Sequence, residues 1–240
     1  YMNNLLHGDL GYSIKKTGKT VVDIIKEAFP VSAELGLISL FFAEAVGLLF
    51  GILCAQFRGK WPDYLLMVVA VLGIALPSMV LGPILRMIFG VKLGILPVTG
   101  WGKPNQIILP ALVLGLGTVA GNTRNMRASM LAITTQDYVK TARAKGLSPV
   151  RVVLKHQFKN SLVPIIPNLG VQIAGVLMGS FVVESMFLIP GLGRYFVDSV
   201  TNLDYPLIMG LTIFYGAFLV TMNLIVDVLY GLIDPRIRVK

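Results

Sequence analysis

Hydrophobic residues in this chain come in long blocks, not in the short periodic stripes of a soluble helix. Five blocks, at about residues 31–57, 64–89, 107–130, 162–188 and 207–233, each reach the length a helix needs to cross a membrane. That length is roughly 20 residues, because a helix rises ~1.5 Å per residue and the hydrocarbon core is ~30 Å thick. The polar intervals between them read RGKWPD, GVKLGILPVTGWGKPNQ, the stretch 134–164, and IPGLGRYFVDSVTNLDYP. The pattern predicts an all-α integral membrane protein with five membrane helices. Residues 1–30 are mixed, ending in an amphipathic VVDIIKEAF, and form a separate segment ahead of the membrane domain at 31–240.

The longest polar interval, TTQDYVKTARAKGLSPVRVVLKHQFKNSLVP at 134–164, reads as two short helices around a tight corner. Thr134 followed by Asp137 resembles a capping box, and Asp137 suits the positive end of a helix. The first helix is expected to run to Lys145 and stop at Gly146, the residue type that enters the left-handed conformation at least cost. Ser148 and Pro149 restart a helix as N-cap and first-turn proline. On that second helix Val150, Val153, Leu154, Phe158 and Leu162 form an apolar stripe, and Arg151, Lys155 and Lys159 form a basic one.

Composition agrees with the block pattern: 55% of residues are hydrophobic and 14% charged, which a soluble domain of this size does not show. The net charge of +9 has its explanation in the positive-inside rule. Arg58 and Lys60, then Arg124, Arg127, Lys140, Arg143, Lys145, Arg151, Lys155 and Lys159, then Arg236, Arg238 and Lys240 fall on one side if all five blocks cross. That side is expected to be cytoplasmic, with the loop 131–163 and the C-terminus on it. Lys92, Lys103 and Arg194 lie opposite, as do Lys15, Lys16, Lys19 and Lys26, which run against the bias. Residues 1–30 and the loop 189–206 are then extracellular, and Trp101, Tyr195 and Tyr205 stand at that edge. The chain opens on Tyr1 and polar sequence, so a further N-terminal piece with another membrane helix is expected before it.

Several chemistries can be set aside. Cys54 is the one cysteine, which leaves no disulfide framework and no cysteine metal site. Gly18-Lys19-Thr20 ends like a phosphate-binding loop, but Ser13 stands where that motif needs glycine. His7 and His156 lie outside the blocks with no second ligand beside them. Within the blocks, Glu44 lies deepest, while Glu34, Arg86, Arg124, Glu184 and Asp227 sit nearer the ends. A charge buried in lipid is costly, so Glu44 either lines a polar cavity or pairs with another helix. Pro77 and Pro83 interrupt the second block and are expected to kink it or open its hydrogen bonding. Gly47/Gly51, Gly117/Gly121 and Gly175/Gly179 are small-residue pairs that let helices approach closely, within the subunit or between subunits.

A basic helix beside a membrane can lie on anionic lipid, and a helix-corner-helix can read DNA, though seldom when tethered at both ends between spans. The sharp corner at Gly146, Ser148 and Pro149 favours docking to a protein, because lipid binding requires no fixed turn. Here the residues resemble a known family. DYVKTARAKGLSPVRVVLKHQFKNSLVPII is similar to the cytoplasmic loop of ATP-binding-cassette (ABC) importer permeases, most closely the dipeptide/oligopeptide branch. GDLGYS, LPVTGW, GSFVVESMFLIPGLGRYFVDSVTNLDYPLIMG and VDVLYGLIDPRIR resemble the same branch, in order along the chain. Ala142 and Gly146 match the last alanine and the glycine of the loop motif, whereas Lys140 and Thr141 replace its common Glu-Ala pair.

The resemblance implies a type I importer transmembrane domain that is no enzyme and holds no cofactor, with ATP and Mg bound by partner ATPase subunits. It implies a multi-pass protein of the bacterial cytoplasmic membrane, paired with a second homologous permease, two cytoplasmic ATPases and an extracellular substrate-binding protein, and with no nucleic acid. Contact with the ATPase falls to Asp137, Tyr138, Lys140, Thr141, Ala142, Arg143, Lys145, Gly146 and Leu147. Glu44 and Pro77 are the candidates for the translocation path, and loop 189–206 either gates it or meets the binding protein. A permease for nickel or another small solute, an ATPase-independent carrier or channel, and a lipid-binding scaffold are the competing readings.

Overall fold

The computed structural model describes Leu5 and residues 8–233. His7 and the basic tail Arg236, Arg238 and Lys240 lie outside the described residues, as does the side chain of Asp227. The regular structure of the described residues is helical, with one isolated antiparallel bridge, Tyr12 to Thr20. The helices are α1 (Val21–Gln56), α2 (Trp61–Ala75), α3 (Ser78–Leu85) running into a π-helix (Arg86–Lys92), and α4 (Pro104–Thr134). They continue as α5 (Asp137–Ala144), α6 (Pro149–Arg151) with a second π-helix (Val152–Phe158), and α7 (Lys159–Ser161). α8 (Ile166–Leu177), α9 (Phe181–Phe187), α10 (Leu192–Thr201) and α11 (Tyr205–Ile233) complete the order.

α1, α4 and α11 are each long and apolar enough to cross a membrane unbroken. The other two predicted blocks reach that length only as pairs joined across a bend, α2 with α3 and its π-helix, and α8 with α9. The first break falls at Leu76, whose φ of −95° and ψ of 112° are extended. A residue preceding proline is pushed out of the helical region by the ring, so Pro77 interrupts the second block, as expected. Pro83 is accommodated inside α3. The second break is at Gly179, whose φ of +81° places it outside any helix, so Gly175/Gly179 is not a helical pair.

α1 starts at Val21, ten residues before the predicted block. The cause is a capping box: the Asp23 N–H donates to Thr20 Oγ1 at 3.1 Å, and the Thr20 N–H donates back to the Asp23 carboxylate at 3.3 Å. The box expected at Thr134 does not form. Thr134 is the last residue of α4, and its hydroxyl donates to the Met130 carbonyl one turn back.

Contacts divide the chain into two units, one from residues 1–39, 78–114 and 171–240, the other from 40–77 and 115–170. The first unit has two apolar cores. One gathers Val21, Ile24, Ala28, Leu192, Leu207 and Leu211; the other gathers Leu35, Leu109, Val113, Val183, Phe187 and Ile189. Its α9–α10 corner is built on Glu184, which is fully buried and accepts the N–H groups of Ser180 (3.1 Å), Gly193 (2.8 Å) and Arg194 (3.3 Å). Asp204 serves the first unit in a similar way. It accepts the Ser13 hydroxyl and the N–H groups of Ile14 (3.1 Å) and Lys15 (3.3 Å), pinning the bridge segment to the start of α11. Burial opposes ionisation of Asp204, but these donors, Ser13 first, outweigh it and hold the carboxyl below its ordinary range.

In the second unit Gly47 and Gly51 of α1 pack on α4: a Cβ on Gly47 would lie 2.7 Å from that of Asn122, and one on Gly51 2.5 Å from that of Met126. That small-residue pair is intrachain packing. A Cβ on Gly117 or Gly121 of α4 would meet no neighbouring atom of the described residues closer than 4.0 Å.

Candidate functional site

The stretch 134–164 lies wholly in the second unit. Gln136, not Thr134, is the N-cap of α5, with extended backbone and no side-chain bond. The helix stops as the sequence predicts. Lys145 is its C-cap, and Gly146 follows at φ +74°, donating its N–H to the Arg143 carbonyl at 2.9 Å. No atom lies within 4 Å of where a Cβ on Gly146 would stand, so backbone conformation alone makes this position demand glycine. Ser148 and Pro149 take the predicted N-cap and first-turn places of α6.

Beneath the corner is a small apolar core of Val139, Ala142 and Val152, with Ile133 and Leu147 packed against it. The predicted contact residues therefore divide. Asp137, Tyr138, Lys140, Thr141, Arg143, Lys145 and Gly146 are exposed and form a ridge; Leu147 is half-buried, and Ala142 is buried in the core. The ridge has little internal pairing to break: Lys140 reaches the Asp137 carboxylate at 2.9 Å with both side chains largely in solvent, an arrangement worth well under ~1 kcal/mol.

The second helix departs from its predicted stripe. Because residues 152–158 form a π-helix, hydrogen bonds close five residues back and the inward face advances. Val150 and Leu154 are exposed (67% and 59%), while Val152, Gln157 and Ser161 are buried. Val153 and Phe158 are half-buried and pack against the second unit's other core, Met126, Met130 and Ile165. Gln157 is fully buried and bonded at both ends of its amide. Its Nε2 donates to Thr134 Oγ1 at 3.0 Å, and its Oε1 accepts from Gln56 Nε2 at 3.3 Å.

Sequence reasoning missed this glutamine, since a polar residue among lysines reads as solvated. It also missed an ion pair between the RGKWPD loop and α4. Arg127 donates from Nε (2.8 Å) and an Nη (2.7 Å) to the two oxygens of Asp63, which is buried and also accepts the Gly59 N–H at 3.0 Å. The available signal was W-P-D, proline then an acid in a first helical turn.

Of the two path candidates, Pro77 is exposed at the α2–α3 break. Glu44 is half-buried and accepts from Asn122 Nδ2 at 2.6 Å, while its second carboxylate oxygen is buried without a hydrogen-bond partner.

Residues 47–239 match the family described as "Binding-protein-dependent transport system inner membrane component". The chain is 44% identical to the dipeptide transport system permease protein DppB of Bacillus subtilis, over 99% of this chain and 77% of that protein. It is 43% identical to the oligopeptide transport system permease protein OppB of Haemophilus influenzae, over 99% of this chain and 78% of that one. Among solved structures, an inward-facing form of the MetNI methionine ABC transporter shares the fold. The TM-score is 0.64 at 16% identity, covering 86% of this chain and 96% of that chain. The predicted all-α importer fold and the resemblance drawn from the 134–164 stretch therefore hold: the chain belongs to the family of binding-protein-dependent transport system inner membrane components.

Proposed function

We propose that this chain is the membrane-spanning subunit of an ATP-driven importer that carries peptides across the bacterial cytoplasmic membrane, and that 134–164 faces the cytoplasm and couples it to an ATPase. The observation that carries the coupling is the ridge Asp137–Lys145: exposed, basic, seated on its own small core and ended by a corner that only a left-handed residue can make. The peptide cargo follows from the names of relatives above 40% identity along nearly the whole chain.

In this reading the subunit pairs with a second, homologous permease, two ATPase subunits dock on the two ridges, and an extracellular substrate-binding protein delivers cargo. ATP and Mg belong to the ATPases, and this chain performs no hydrolysis. Closure of the ATPases draws the ridges together, and the helices rock as rigid bodies between access to one side and to the other. The chain's part is mechanical: a ridge to receive force, and a corner stiff enough to pass it on. Pro77 and Glu44 line the path, the first at a broken helix and the second as a carboxylate within a span.

The test is cross-linking in membranes. Cysteines at Thr141 and Lys145, in a Cys54→Ser background, should each capture an ATPase subunit, with a yield that changes when ATP is added. Capture of no ATPase, with ATP-independent uptake, would replace this reading with a carrier or channel. A cysteine at Pro77 should react with a membrane-impermeant maleimide at a rate that ATP alters.

A further inference from the structure

Gln157 lies among two apolar cores and the ends of two long helices, yet it is an amide. Its surroundings leave little freedom in how it is bonded. The Thr134 hydroxyl spends its proton on the Met130 carbonyl at 2.8 Å, so toward Gln157 it can only accept. That directs Nε2 of Gln157 to Thr134 at the end of α4 and Oε1 to the amide of Gln56 at the end of α1. The backbone is engaged as well. The Gln157 carbonyl accepts the Ser161 hydroxyl at 2.8 Å, and the Ser161 carbonyl accepts the Ser129 hydroxyl of α4 at 2.9 Å. The π-helix is what turns Gln157 inward, since the α-helical register predicted from sequence buries other positions.

An apolar side chain of similar volume would fill this place without desolvation cost. A buried amide is tolerated only when its bonds are made, and what it adds is direction: apolar surfaces can slide, whereas two hydrogen bonds at fixed angles cannot. We propose that Gln157 is a positioning residue for transport, locking the helix behind the ridge to the ends of α1 and α4 so that displacement of the ridge moves both long helices together. This rests on the coupling role proposed for 134–164 and names the residue through which that role reaches the membrane helices.

The experiment uses the assembled transporter in liposomes, with a peptide cargo and its binding protein. Two quantities are followed: basal ATP hydrolysis, and peptide imported per ATP. Gln157→Met keeps the volume and removes both bonds. It should assemble and hydrolyse ATP at the wild-type basal rate, while import per ATP falls about tenfold. Thr134→Val removes one bond from the other partner, without changing the buried residue itself, and should give part of that fall. The double variant should be no worse than Gln157→Met, because residues of one network do not add. Unchanged import per ATP in both single variants would overturn the proposal and leave the coupling reading intact. If Gln157→Met fails to assemble, Thr134→Val decides: wild-type import per ATP from it overturns the hub, and a reduced ratio with intact basal hydrolysis supports it. Wild-type uptake that proceeds without ATP would overturn the coupling reading, and this proposal with it.

Discussion

Two corners of this chain turn in opposite ways. The one between α9 and α10 is solid. Glu184 is sealed inside it and takes three backbone N–H groups, and there is no room for side chains around it. A Cβ on Gly191 would strike the Glu184 carboxylate, and one on Gly193 would come within 2.8 Å of the Ser180 backbone. The corner between α5 and α6 is open: Gly146 has no neighbour near its missing Cβ, and Lys145 and Ser148 beside it are exposed, with Leu147 half-buried. The first corner is closed by packing and hydrogen bonds around Glu184, whereas the second rests on its small core from one side and turns at a left-handed glycine with nothing packed against it. A corner closed in the first way has its surface occupied from within, whereas one that turns at a single left-handed residue keeps its outer side free for a partner.

Substitutions should separate the two. Gly193→Ala drives a methyl into backbone, and Glu184→Ala strands three donors, one buried and two part-buried. The second should cost about 3 kcal/mol or more, seen as loss of the folded subunit on size-exclusion after mild heating, and the first should be at least as severe. Wild-type heat resistance of either variant would break the comparison. Next in size is Asp63→Ala, which leaves Arg127 without its counter-charge and frees the Gly59 N–H. About 3 kcal/mol is expected by the same assay.

Gly146→Val should behave differently. A β-branched residue at φ +74° costs roughly 1–3 kcal/mol locally, so the subunit should fold and assemble while import per ATP drops at least about tenfold. Gly146→Asn, which tolerates that conformation, should recover most of it. If valine transports as glycine does, the open corner has no mechanical role.

The smallest effect belongs to Asp204. Its folded-state pKa is depressed, so its contribution is complete above the unfolded value and is lost as pH falls through the folded one. Protection factors at the Ile14 and Lys15 amides, each rate taken relative to the intrinsic rate at that pH, should therefore be steady from neutral pH down to about 4 and fall below it. Asp204→Asn should abolish that pH step.

What could be read in advance followed the range of the forces involved. Block length alone located the three unbroken candidate spans and the two bent helix pairs, because crossing hydrocarbon is a demand that every residue in a block shares. Gly146, Ser148 and Pro149 were legible because each acts through its own backbone. Thr134 was misread because a threonine hydroxyl caps a helix or bonds back into one depending on what precedes it. The inward turn of Gln157, the Asp63–Arg127 pair and the Glu184 corner were not legible. The first depends on a change of helical register, the second on residues 64 apart in sequence, and the third on backbone N–H groups that a turn of unpredicted geometry brings to one carboxylate.

The wide turn at 152–158 has one more consequence, which concerns length and not chemistry. A π-helix holds one residue more than an α-helical turn closing the same gap. Removing a single residue between Val152 and Gln157 should let the segment relax into an ordinary α-helix, with Lys159–Ser161 still continuing the coil. Four residues of an α-helix make about the same turn as five of a π-helix, so such a shortened chain would keep the open corner and still present Gln157 to Thr134 and Gln56. For this subunit, the wide turn takes up an extra residue without giving up the buried amide.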